Sequence, residues 1–447
     1  MGASSHPKVN ERAVVLLIAA MHFINILDFM IVMPLGPDFS QALGIPSNRM
    51  GDVAGAYTLA AAVSGIAGSF FLDRFDRRRA LAVSMAGLVI ATALCGLAWD
   101  LYSLLGARVL AGLFGGPAMA LSLAVVTDVV PAKRRGRAMA AVMTAFSVAS
   151  IAGVPLALEI ANLGSWRAPF FAVAALGAGV TFAGIFLLPS LRLHLLSGVK
   201  PPGLAMLRLL REPLPLLSYL SITAMMFSAF TIIPHIPTYL VFNLGYDGEQ
   251  WLRELLAPIG GKPSVLGPLY LFGGLLSLLV MQFVGRLTDR LGSGVVSWIG
   301  AVLVIAVIWF WFIDYNPVLP VVLLFMAYMG SMSMRGVPAR ALDTKIPRAH
   351  ERASFMSLQS AVQHFALAGA AIMSSRILTE NADKSLNGIP TLGWISVAFA
   401  VLLPTSVTIA ERMLKRRDGG NTETLIAAGA PVTAPAPPAQ VAAGTDH

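Results

Sequence analysis

Apolar residues run through this chain in long blocks, interrupted by short polar or charged phrases. Twelve blocks can be placed, near 13–36, 53–72, 80–99, 103–127, 138–161, 168–189, 215–243, 264–285, 294–313, 318–337, 353–375 and 393–410. A helix needs about 20 apolar residues to cross a bilayer, so each block predicts a membrane-spanning helix. Strands are excluded: the blocks lack period-two alternation and are about twice the length of a barrel strand. The pattern predicts an all-α polytopic membrane protein with twelve transmembrane helices.

The polar phrases repeat. Ser69-Phe70-Phe71-Leu72-Asp73-Arg74-Phe75-Asp76-Arg77-Arg78-Arg79 follows the second block, and Gly285-Arg286-Leu287-Thr288-Asp289-Arg290-Leu291-Gly292 follows the eighth. Asp73 and Asp289 lie 216 residues apart, as do Pro131 and Pro347. Asp128 and Asp343 lie 215 apart, as do Arg137 and Arg352. Four pairs at one offset mark a doubled unit of six spans each, an arrangement typical of transporters.

Composition agrees with the bilayer. The 447 residues are 56% hydrophobic and 12% charged, against roughly 25% charged in a soluble domain. The net charge of +9 does not indicate nucleic acid, because the basic residues alternate with apolar blocks rather than gathering on one face. Six of the 32 Lys and Arg residues (Arg49, Arg167, Arg253, Lys262, Arg376 and Lys384) lie in one set of loops, and Arg108 and Arg335 lie inside spans. The other 24 lie with the termini and the opposite loops, so both termini are expected in the cytoplasm. The organisation expected is a leader over 1–12, a first half over 13–189 and a linker over 190–214, then a second half over 215–412 and a disordered tail over 413–447. The first span is read as uncleaved, and His6 stands where a myristoylation signal needs Ser or Thr. The single cysteine, Cys95, excludes a disulfide within the chain and a cysteine-based metal site. No phosphate-binding loop or His/Glu metal spacing appears, so no cofactor is expected.

Twelve spans in two halves, with the charged phrase between spans 2 and 3 and again between 8 and 9, resemble the major facilitator superfamily over about residues 13–412. Of that family's phrase, Asp73, Arg74, Arg77 and Arg78 match, while Ser69 and Asp76 replace glycines. The second copy keeps Gly285, Leu287, Asp289, Arg290 and Gly292 and lacks the trailing basic pair. Arg108-Val109-Leu110-Ala111-Gly112 resembles the family's Arg-x-x-x-Gly motif in span 4. Gly153-Val154-Pro155 resembles the span 5 motif of proton-driven exporters, closest to the drug- and sugar-efflux branch, although Ala149 and Ala157 replace further glycines. The resemblance implies transport by alternating access, with protons and a small molecule as partners. It also implies a latch in which Asp73 faces the start of span 11 and Arg77 reaches Asp128. In the second half Asp289 and Asp343 lack the matching arginine, so that latch is expected to be weaker.

Charges inside spans are costly and commonly functional. Asp28 in span 1 and Arg108 in span 4 lie at depths that agree within a turn, so they can pair if the helices adjoin. An aspartate that pairs with arginine when charged and releases it when protonated suits proton coupling. A permanent structural ion pair is the alternative. His22, Asn25 and Asp28 share a 120° arc of span 1, which is expected, with Tyr57, to line a cavity. Gln359, Gln363 and His364 in span 11 suit either a polar substrate or helix-to-helix hydrogen bonds. His235, between Pro234 and Pro237, sits at an expected break and is either a cavity group or a packing histidine. Arg335 is expected to snorkel to the cytoplasmic surface. Gly112 and Gly116 read as a close packing face.

The function expected is proton-coupled export of a small sugar-like or drug-like solute across the bacterial inner membrane, not an enzymatic activity. Import of a nutrient or vitamin is the alternative, and a non-transporting membrane sensor a remote one. Each chain carries both halves, so a monomer is expected to suffice.

Overall fold

A computed structural model describes residues 10–189, 191, 209–248, 264–315, 317–348 and 351–427. The first half holds α1 (Glu11–Ile31), α2 (Met50–Phe71), α3 (Arg77–Gly96) and α4 (Leu101–Val129). It continues with α5 (Ala132–Val148, a π turn at Ala149–Gly153, then Val154–Leu163) and α6 (Ala168–Leu187). The second half holds α7 (Pro213–Phe230), α8 (Gly267–Leu291), α9 (Ser293–Ile308) and α10 (Val321–Asp343). It ends with α11 (Arg352–Ile377) and α12 (Ile389–Ala427). Among the described residues, eleven helices are long and apolar enough to cross a membrane. The remaining long one, α11, is diluted by polar residues and completes the twelve.

Local chemistry explains several boundaries. Asp100 and Ser103 form a capping box at α4: the Asp100 carboxylate accepts from Ser103 N at 2.8 Å, and Ser103 Oγ accepts from Asp100 N at 3.0 Å. Hydrogen bonding from the Ser103 side chain and then from its backbone N–H holds the Asp100 carboxyl below the usual carboxylate range. Asp76, which replaces a glycine of the charged phrase, caps α3 by accepting from Arg78 N at 3.0 Å. Pro234 and Pro237 break span 7 as their positions predict: α7 stops at Phe230, and the chain goes on through short turns and a π turn, Tyr239–Asn243. The linker expected over 190–214 lies mostly outside the described residues. The tail expected from 413 differs in part: α12 runs on to Ala427, because no proline or glycine stop follows span 12 directly, and residues 428–447 are outside the described part.

Within the first half, α4 packs on α2 and α3, and α1 on α5 and α6; within the second, α10 packs on α8 and α9, and α12 on α7 and α9. Small residues set the closest approach. A Cβ on Gly112 would strike the Tyr57 carbonyl, and one on Gly116 would sit 2.6 Å from the Ala61 carbonyl oxygen. The two halves meet through α2 with α11 and through α5 with α8. These meetings lie at the end of the bundle away from the described chain ends, hereafter the distal end. There a Cβ on Gly51 would strike the Ala371 carbonyl, and one on Gly55 would come 2.6 Å from Ile372 Cγ1. A two-stranded hairpin, β1 (Thr379–Glu380) and β2 (Leu386–Asn387), joins α11 to α12 at the same end.

Candidate functional site

The buried centre of the first half is built where α1, α3 and α4 converge. Arg108 Nη1 donates to Asp28 Oδ2 at 2.9 Å, and both side chains are fully buried. The same Nη1 lies 3.3 Å from the Asp28 carbonyl oxygen, and the guanidinium stacks over Tyr57 with its Cζ 4.5 Å from the ring centre. Tyr57 donates to Asn25 Oδ1 at 2.9 Å, and Asn25 Nδ2 donates to the Gly115 carbonyl at 2.8 Å. Asn25 and Tyr57, expected to line a cavity, are therefore spent in this conformation on orienting Arg108. His22 on the same arc is also buried, and its Nδ1 has no partner.

Thr92 on α3 completes this centre. Its Oγ1 is 2.7 Å from Asp28 Oδ1 and 2.9 Å from the Leu88 carbonyl oxygen. A threonine hydroxyl has one hydrogen and two acceptor positions. When Asp28 is charged, Thr92 can donate to it. When Asp28 is protonated, the carboxyl can donate to Thr92, whose hydrogen then turns to Leu88. Either protonation state of Asp28 is satisfied without moving a helix, and an unsatisfied buried group would cost about 1–3 kcal/mol. Thr92 carries no sequence signal, because a threonine in an apolar helix ordinarily bonds back to the preceding turn.

The other expected site residues fall elsewhere. Gln359 is buried near the end of the bundle opposite the distal one, where its Nε2 donates to Asp343 Oδ2 at 2.5 Å and to Ser218 Oγ at 3.1 Å. Ser218 Oγ also donates to Asp343 Oδ1 at 2.5 Å. Gln359 thus joins α11 to α10 and α7. Gln363 accepts from Arg340 Nη2 at 3.5 Å, and His364 Nδ1 lies 2.8 Å from the Ser360 carbonyl; both are half-buried. His235 is buried with Nε2 at 2.9 Å from Ser374 Oγ. Because Ser374 donates to Ala371 O at 2.7 Å, His235 must be the donor, so it is neutral with its hydrogen on Nε2, or doubly protonated. The first arrangement is that of a packing histidine.

Of the latch residues, Arg77 Nε lies 2.6 Å from Asp128 Oδ2. Arg74 is exposed, and the Asp73 side chain lies outside the described residues. In the second half Asp289 and Arg290 are exposed, and the buried Asp343 is held by Ser218 and Gln359. Gly153 ends the π turn of α5, where a Cβ would come 2.8 Å from Leu27 Cδ1, and Pro155 opens the next helical stretch. One expectation is corrected. Arg335 does not snorkel: it is fully buried, because its stem runs against Gly300 of α9 and its head turns to Ser228 of α7.

The distal contacts between halves carried no sequence signal either. Asn48 Nδ2 donates to the carbonyls of Ser375 (3.4 Å) and Leu378 (3.0 Å). Ser47 N donates to Glu380 Oε2 at 3.1 Å, and Asp52 N to Ser375 Oγ at 3.0 Å. Lys384 Nζ reaches the Ser40 carbonyl at 2.8 Å, and Ser264 N reaches Glu159 Oε1 at 2.8 Å. Asp52 also pairs with Arg49 at 2.5 Å and, across the halves, with Arg376 at 3.8 Å.

Twelve spans in two six-helix halves, with a buried charge pair in one of them, define a secondary-transporter architecture. Residues 18–371 match the Major Facilitator Superfamily, and the chain belongs to that family. It is a multi-pass membrane transporter and not an enzyme. It is 26% identical to a chloramphenicol resistance protein of Streptomyces lividans over 61% of this chain and 65% of that one. It is 24% identical to the inner membrane transport protein YdhP of Escherichia coli over 83% of this chain and 90% of that one. In fold it resembles a point mutant of the nucleoside transporter NupG, with a TM-score of 0.68 at 12% identity, covering 89% of this chain and 99% of that one.

Proposed function

We propose that this transporter is a proton-coupled exporter of a small organic solute, working as a monomer by alternating access in the bacterial inner membrane with both termini in the cytoplasm. The observation that carries the coupling is the Asp28–Arg108–Thr92 centre, whose hydrogen bonds accommodate a charged or a neutral Asp28. Protonation of Asp28 weakens its hold on Arg108, and α1, α3 and α4 then lose the charge that ties them. With the termini cytoplasmic, the distal end is the outer one, and its hydrogen bonds close the outer side in this conformation. The Arg77–Asp128 pair fastens α3 to α4 at the inner end. The names of the chloramphenicol resistance protein and of the inner membrane protein support export across that membrane.

The test is proton-driven flux in proteoliposomes. Asp28→Asn should abolish gradient-driven transport while leaving gradient-independent exchange measurable. Gradient-driven flux equal to wild type would remove Asp28 from coupling. A screen for proton-dependent uptake into inverted vesicles reads direction, since an importer would load only right-side-out vesicles.

A further inference from the structure

Arg335 is a buried charge that the coupling centre does not use. Its guanidinium is fully buried on α10. Nη1 donates to Ser228 Oγ at 3.0 Å, Nη2 points at the Met332 sulfur at 2.6 Å, and Nε has no partner. Among the described residues no carboxylate pairs with it. A guanidinium does not give up its proton in a protein, and a buried charge without a counter-charge is strongly unfavourable.

Three acids buried or half-buried within the spans, Asp343, Asp28 and Glu411, are committed elsewhere. Asp343 lies eight residues further along the same helix, about 12 Å away at 1.5 Å per residue, and is held by Ser218 and Gln359. Asp28 is paired in the other half, and Glu411 takes Gly294 N and Lys415. Because α10 is a continuous helix, Asp343 cannot swing back to Arg335.

The surroundings of Arg335 suit an incoming anion. Met332, one turn before it, is half-buried and covers Nη2. Its thioether is a weak acceptor on a chain with three rotatable bonds, easily displaced. Ser228 keeps its own hydrogen, with Ser396 Oγ at 3.2 Å the acceptor nearest to it, since Ser396 donates to the Ser228 carbonyl. That hydrogen is taken up by Ser396, so swinging Met332 aside leaves Nη2 and the unpartnered Nε, two N–H donors of the guanidinium, for a carboxylate.

We propose that Arg335, behind the movable Met332, is the binding site for an anionic oxygen group, a carboxylate or its equivalent, on the transported solute. This deepens the export reading by giving its cargo a chemical class. The binding itself does not depend on proton coupling.

The experiment uses the full chain in nanodiscs and follows tryptophan fluorescence and the melting temperature. Sodium benzoate, neutral benzamide and sodium chloride are titrated into wild type, Arg335→Gln and Arg335→Lys. Benzoate should give a saturable response in wild type, tenfold or more weaker in Arg335→Gln, while benzamide and chloride give none. Arg335→Lys keeps the charge and should retain a weakened response, which controls for folding. The titration is run with no proton gradient imposed, so a failure of proton coupling leaves the benzoate response in place, and the two are separable. No benzoate response in wild type, or an undiminished one in Arg335→Gln, overturns the site. A response to chloride equal to that for benzoate overturns its assignment to cargo.

Discussion

The two halves place a buried arginine in the same triangle of helices and surround it differently. In the first half Arg108 of α4 meets Asp28 of α1 and is backed by Thr92 of α3. In the second half Arg335 of α10 meets Ser228 of α7 and lies along Gly300 of α9. A serine stands beside the second arginine where an aspartate stands beside the first, but the two arginines are not repeat equivalents: Arg108 lies 20 residues before Asp128, and Arg335 eight before Asp343. The first arrangement is neutral as a whole and changes charge when a proton arrives. The second carries a fixed charge that a proton cannot remove. On the readings proposed above, the two halves hold sites with different inputs, a proton at the first and an anion at the second.

The strongest test of this contrast is to remove Asp28. Asp28→Leu leaves Arg108 as isolated as Arg335 and should destabilise the chain by about 3–5 kcal/mol, measured by chemical denaturation in nanodiscs, with gradient-driven flux lost. The reverse change comes next. Ser228→Asp gives Arg335 a partner, and the melting temperature should rise with a gain of roughly 1.5–3 kcal/mol, as expected for a charged hydrogen bond. The same variant should lose its benzoate response. If Ser228→Asp melts lower than wild type, the second arginine is not short of a counter-charge, and the comparison fails.

Gly51→Val tests whether the distal meeting of the halves depends on bare backbone. Overpacking that contact should cost the closed arrangement about 1–3 kcal/mol and shift the population toward a state open at the distal end. Increased maleimide labelling of a cysteine introduced at Ser40 would report the shift. The smallest effect is expected at Asp128→Asn. The pair it breaks is partly exposed, with Arg77 15% and Asp128 30% accessible, so stability should fall by only about 0.2–1 kcal/mol. A change in transport rate beyond that figure would show that the pair acts on the cycle rather than on the resting fold.

Much of this architecture was legible in the chain. Block length and the 216-residue repeat led to twelve spans in two halves, and depth along α1 and α4 brought Asp28 and Arg108 together. Thr92 was not legible, because its usual backbone bond to Leu88 hides a second role visible only beside Asp28. Arg335 was misjudged from its distance to the helix end. Burial there is decided by Gly300 on a neighbouring helix, which makes room for the arginine stem. Asn25, Tyr57 and Gln359 were recognised as polar groups within spans, but whether such a group meets solute or another helix depends on packing no single segment contains. The contacts of Asn48, Asp52 and Glu380 join residues more than 320 positions apart, beyond any local pattern.

The six hydrogen bonds across the distal end share one property. Each has a main-chain group as one member: Ser47 N, Asp52 N, Ser264 N, and the carbonyls of Ser40, Ser375 and Leu378. A main-chain group survives most substitutions at its own position. Mutation can therefore remove only one side of each bond, and a lost side chain can be regained without a matching change across the interface. Closure of this end is thereby buffered against substitution, so the interior between the halves can change without this seam having to be rebuilt.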